Sequence, residues 1–133
     1  MKSLRSKLSM KSRWYISKYR YLELKNMCLQ YPEWKKELQF DNGLYSNSMI
    51  RVSGDQIEFK DSVFDLAERQ SEINRKIKLI EDVAKISSGD LSAYILECVF
   101  FGKSYEILQP PCGRRQFYEK YREFFWMLDK AFS

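Results

Sequence analysis

The residues best equipped for recognition chemistry follow the turn Pro110-Pro111-Cys112-Gly113, where Arg114, Arg115, Gln116, Glu119 and Lys120 occur within seven positions. Arg and Gln carry forked donors and acceptors that match the edges of guanine and adenine, so a helix beginning at Gly113 presents a base-reading surface at its first turns. Lys103 and Arg122 flank this stretch and are available for phosphates. A second cationic group lies at the other end of the chain. Residues 1–30 hold eight Lys/Arg against the single acid Glu23. Among them Lys11, Arg13, Lys18 and Arg20, with Lys7, are placed to follow a phosphate backbone, because neutralising phosphates releases counterions and supplies sequence-independent affinity. The middle of the chain, 31–102, has nine bases against thirteen acids, and 103–133 has six against four. Trp14, Tyr15 and Tyr19 interleave with the N-terminal bases. Their spacing reads as core, with stacking on the bases of a single strand as the alternative.

Other chemistries find little support. The 133 residues contain no histidine, and the three cysteines, Cys28, Cys98 and Cys112, are far apart without a CxxC pair, so neither a zinc site nor a disulfide framework is readable. Cys112 precedes a helix start, which can lower a thiol pKa, but no imidazole is available as its base. Carboxylate neighbours such as Glu81-Asp82 point away from each other on a helix. No glycine-rich phosphate loop occurs. The expectation is a protein that is not an enzyme and uses no cofactor and no metal. A cytoplasmic location in a bacterial host cell is expected, with no membrane partner, because no apolar run approaches the roughly 20 residues of a span. The Ser/Lys/Arg-rich stretch Met1 to Arg13 is like a transit peptide in composition, and a basic arm explains it equally well.

The elements that must position these residues are helical. Aromatic residues make up 16% of the chain and there are only five Gly and three Pro, a composition suited to a packed all-α domain. Trp14, Tyr15, Tyr19, Leu22, Met27 and Leu29 recur at approximate helical spacing and predict a helix over about 12–30. Proline at 32 opens a short helix expected to fold Trp34 and Leu38 back onto it. Turn residues at Asp41-Asn42-Gly43, Ser46-Asn47-Ser48 and Ser53-Gly54-Asp55 predict a loop over 41–60. Asp61-Ser62 then offers an N-cap for a long amphipathic helix to about Ile86, with Val63, Leu66, Ile73, Ile77, Ile80 and Ala84 as its stripe; it is the backbone of the fold or a dimerisation face. Asp90 caps a helix over 91–101 that Gly102 ends, Ser104 caps a short helix over 105–109, and a final helix runs from Arg114 to about Phe132 with Phe117, Tyr121, Phe124, Leu128 and Phe132 aligned. The expected organisation is a basic arm at 1–13, N-terminal helices and a loop over 14–60, and the long helix with a C-terminal trihelical helix-turn-helix over 61–133, in one compact domain overall.

Gly102-Lys103-Ser104-Tyr105-Glu106-Ile107-Leu108 resembles the start of the helix-turn-helix in region 4 of sigma-70-type factors. Phe117-Tyr118 together with Tyr121 through Leu128 resembles the ending of small phage or prophage proteins of the ArpU/RinA transcriptional-regulator type. Tyr21-Leu22-Glu23-Leu24-Lys25 and Cys28 through Lys35 are similar to the opening of such proteins. The likeness touches roughly half the chain. It implies a DNA-binding transcription regulator whose helix from Arg114 enters a major groove, alone or with RNA polymerase; separately, the long helix and the aromatic C-terminal helix each offer a face for a homodimer, which palindromic DNA would favour. The double proline and the short second helix depart from the regular sigma-type turn. A different class of function fits the same surface: a phage-encoded inhibitor or adaptor, of the anti-CRISPR type, that binds a host nucleic-acid-processing enzyme such as a CRISPR nuclease or RNA polymerase.

Overall fold

Leucine, isoleucine and aromatic side chains three and four positions apart dictate helices here, and helices are what form. The structure, a computed structural model, describes residues 13–39 and 56–133, the side chains of 56–63 excepted. The arm before Arg13, with Lys11, and the turn-rich stretch 40–55 lie outside the described residues. Among the described residues there are helices and no strand, so the chain is all-α. In order these are α1 (Lys18–Cys28), α2 (31–39), α3 (Gln56–Ser88), a 3-10 turn (Gly89–Leu91), α4 (Ser92–Phe101), α5 (Tyr105–Leu108) and α6 (Arg114–Ala131).

Two compact units are distinguished, one of residues up to Tyr31 together with Leu79–Ser133, the other of Pro32–Lys78. The first is organised by α6. Its side chains Phe117, Tyr121, Phe124 and Leu128, broadened by Tyr118 and Phe125, are all buried, while Phe132, expected on the same stripe, is half-buried just past the helix end. Each such ring removed from water stabilises the fold by about 1.5–3 kcal/mol before entropy is counted. Against this stripe pack α1 and, beside α1, α4. Tyr21 of α1 meets Tyr121 and Phe125 edge-on, with centroids 6.3 and 5.1 Å apart, and the hydroxyls of Tyr21 and Tyr121 share a buried 2.8 Å hydrogen bond. At the far end of α1, Tyr31 stacks on Phe100 of α4 with centroids 3.9 Å apart.

Several boundaries differ from the sequence reading for local reasons. The first helix begins at Lys18 rather than near residue 12, because Ser17 caps it by accepting from Arg20 N–H at 3.3 Å. Its buried face is Tyr21, Leu24 and Cys28, while Tyr19, expected on the core stripe, is 77% exposed. Helix α3 starts at Gln56 and runs through Asp61-Ser62, which therefore do not cap it; the short-chain polar residues cost a helix interior only a few tenths of a kcal/mol, and Gln56 to Lys60 carry no breaker. Asp90 lies inside the 3-10 turn, and no side chain caps α4. Gly102 ends α4 in the left-handed region, φ 70°, with its N–H on Cys98 O at 2.9 Å. Ser104 caps α5 as expected, accepting from Ile107 N–H at 3.4 Å.

The second unit contains Trp34 and Leu38, both on α2. Trp34 is buried with Lys76 Nζ 5.8 Å from its ring centre, and Glu37 accepts two hydrogen bonds from the Arg69 guanidinium, Nη2 to Oε1 at 3.1 Å and Nε to Oε2. Trp34 against Lys76 and Glu37 against Arg69 place later residues of α2 beside earlier residues of α3, an antiparallel pairing over these turns. The Arg69 guanidinium holds the Glu37 carboxyl below its ordinary range.

The buried polar groups of the first unit fix its response to alkali. Burial pushes the Cys28 thiol up to about 12 and Cys98 up to about 11, both from near 9, and the Tyr21 hydroxyl up to about 12 from near 10, with Tyr121 raised as well. The unfolded chain loses these protons first, so the stability present below about pH 9 is lost as pH rises towards about 12. Denaturant midpoints followed by far-ultraviolet circular dichroism should fall steadily above about pH 9; a midpoint unchanged from about pH 8 to about pH 11 contradicts the burial of these groups.

Candidate nucleic-acid interface

Helix α6 begins at Gly113, which makes no side-chain cap, and its first turn contains no acid, so the positive end of the helix dipole is not answered locally. Arg114, Arg115 and Gln116 are all exposed there. The turn that aims them is held from α5: the Tyr105 hydroxyl donates to Cys112 O at 2.7 Å, and the Tyr105 ring packs 5.7 Å from that of Phe117. Gly113, Arg115, Gln116, Glu119, Lys120 and Glu123 line one open depression on α6.

The cations expected from sequence fall into different environments. Arg114 is ion-paired with Glu106 of α5, and its guanidinium lies 5.2 Å from the centre of the Tyr118 ring. Arg115 has no carboxylate within ion-pair distance among the described residues. Lys120 stands 3.6 Å from Glu123, and Lys103 2.6 Å from Glu97. Arg122 is set back: its side chain is only 12% exposed, Nη2 is 3.6 Å from Glu119, and Nε and Nη1 are buried without a hydrogen-bond partner among the described residues. Desolvation lowers its pKa from the ordinary arginine value, opposed by Glu119 and assisted by the charge of Arg115.

The second cationic group gathers at the opposite end of α6. Eighteen residues at 1.5 Å rise separate the two ends by roughly 27 Å. Arg20 donates from Nε to Asp129 Oδ1 at 2.5 Å and from Nη1 to Glu23 at 3.0 Å, and these bonds raise its pKa. Arg13 lies 4.8 Å from the centre of the Trp14 ring, and Lys18 lies 5.7 Å from that of Tyr19. Trp14 meets Trp126 of α6 edge-on at 5.2 Å, and Lys130 covers Trp126 at 4.3 Å. Lys130 is a member that sequence reasoning missed; its position four residues after Trp126 on one helix face was the available signal. The structure therefore brings Arg13, Lys18 and Arg20 to one end of α6 and Arg114, Arg115, Gln116 and Lys120 to the other.

Among the described residues no helix is long and apolar enough to cross a membrane, and no group of His, Cys, Asp and Glu is arranged to hold a metal ion. No family model, no curated protein and no solved structure matches the chain. The surroundings of Arg122 generate one direct expectation. Removing a charge whose donors are unsatisfied relieves a desolvation cost, so Arg122→Met should leave the melting temperature unchanged or raise it. A loss of more than about 2 kcal/mol by calorimetry contradicts this reading of the site.

Proposed function

We propose that the protein is a DNA-binding transcription regulator of the phage type, with α4, α5 and α6 as a trihelical helix-turn-helix. The observation that carries this reading is the exposed first turn of α6, where Arg115 and Gln116 project from an uncapped helix start. Entering the major groove by that end, Arg115 offers its fork to guanine O6 and N7, and Gln116 pairs with adenine N6 and N7. Lys120, Lys103 and Arg114 exchange their carboxylates for phosphates on docking. Exposed ion pairs of this kind are worth at most about 1 kcal/mol, so the exchange is inexpensive in free energy. Arg122, with its side chain only 12% exposed, is set back from the surface these residues present. The cations at the start of α1 follow the phosphate backbone.

A second reading is favoured by apolar exposure on the same three helices: Phe101 is 48% and Ile107 71% exposed. Apolar side chains left in water near a charged rim suit a protein partner, such as the host nucleic-acid enzyme of an inhibitor or adaptor. A pull-down from nuclease-treated host lysate separates the two, because a protein partner that survives nuclease supports this second reading.

For the first reading, fluorescence polarisation with duplex DNA at fixed moderate salt is the test. Arg115→Ala should weaken binding to the preferred sequence by about 1–3 kcal/mol and relax its specificity, while Lys120→Ala should weaken all sequences alike and reduce the salt slope by about 1. Unchanged affinity in both Arg115→Ala and Gln116→Ala removes the base-reading role.

A further inference from the structure

We infer that the end of the first unit formed by residues 13–19 and the last turns of α6 is a separate site for single-stranded nucleic acid, with exposed rings as stacking platforms for unpaired bases. This inference rests on the nucleic-acid reading given above, in which the cations at the start of α1 follow phosphates, and assigns to that end a different state of the ligand.

Charge distinguishes this end from the other. At the start of α6 and beside it, Arg114, Lys120 and Lys103 each carry a carboxylate. Here the two neighbouring acids, Glu23 and Asp129, are both engaged by Arg20. Arg13, Lys18 and Lys130 are exposed and have no carboxylate within ion-pair distance among the described residues. What lies against them instead is aromatic: Arg13 over Trp14, Lys18 over Tyr19, Lys130 over Trp126. Three uncompensated cations spread over rings form a surface of positive potential that attracts a polyanion.

The rings decide which polyanion. Tyr19 is 77% and Tyr15 37% exposed, an outlay of aromatic surface to water that nothing in the core requires. Every base has a stacking face, and aromatic platforms interleaved with Lys and Arg are the means by which single strands are held without regard to sequence. In a duplex those faces are already stacked on one another, so exposed rings gain nothing from it. The stretch 13–20 also carries no Asn or Gln to read base edges, so the binding should be tolerant of sequence. The edge-to-face pair Trp14 and Trp126 fixes the floor, and Arg20 on Asp129 fixes the start of α1 against α6.

The test compares two labelled oligomers of equal charge, an oligothymidine of about 12 nucleotides and its abasic counterpart, by fluorescence anisotropy with the full chain. The wild-type protein should bind oligothymidine about tenfold or more tightly than the abasic strand, and Tyr19→Ala, which removes an exposed ring and leaves the core untouched, should erase most of that ratio. Lys18→Ala and Lys130→Ala should each lower the salt slope by about 0.7, whereas Arg115→Ala should alter duplex binding alone. Equal affinity for the two oligomers, or a ratio that survives Tyr19→Ala with helicity intact, overturns the inference. Duplex binding without oligothymidine binding also overturns it while leaving the α6 reading in place; failure to bind either removes both.

Discussion

The hydrogen bond between the hydroxyls of Tyr21 and Tyr121 is the constraint on which the first unit rests. Both groups are buried among rings, where an unpaired hydroxyl costs about 1–3 kcal/mol, and each satisfies the other. A slip of α1 along α6 breaks that bond and strands both oxygens, so the polar pair specifies a register that the apolar contacts around it leave looser. That register brings Arg20 to Asp129 and Trp14 to Trp126, and with them the cations of residues 13–20 to the last turns of α6. The placement of the cations of residues 13–20 against the last turns of α6 follows from this buried contact.

What the chain displays at the two ends of α6 follows from competition between partners. Near the first turn, α5 is short and acidic at Glu106, and α6 itself carries Glu119 and Glu123, so most cations there have a carboxylate to lose before they can meet a phosphate. Weak surface pairs permit that exchange, and the dipole of an uncapped helix start favours an incoming anion. At the last turns the carboxylates are already taken by Arg20, which leaves Arg13, Lys18 and Lys130 to lie on aromatic faces. Cation on ring is a contact that a base can share, since both guanidinium and indole stack.

The sequence was most informative where one periodicity dominated. The aromatic stripe from Phe117 to Leu128 and the punctuation at Gly102, Ser104 and Gly113 placed α4, α5 and α6 within a residue or two, because apolar spacing and turn chemistry there agree. Around α1 they conflict. Trp14, Tyr15, Tyr19 and Leu22 suggest one stripe and Tyr21, Leu24 and Cys28 another; the second is buried because Tyr21 finds a hydroxyl partner 100 residues away. Long-range pairing is likewise what settles the site. That Arg20 would be consumed by Asp129 and Arg122 largely withdrawn from water has no local signature, so the reading of 114–120 and 11–20 as two cationic groups was accessible, whereas the members free to act were not.

On the proposed reading nucleic acid meets this protein at the ends of α6, and the decisive measurement is of backbone amide chemical shifts during titration with a short DNA duplex carrying a single-stranded extension. Perturbations should concentrate at residues 13–20, 113–120 and 130, with α2 and the first turns of α3 unmoved. Shifts confined to the neighbourhood of Phe101 and Ile107, or no shifts at concentrations well above those of typical nonspecific DNA binding, contradict it.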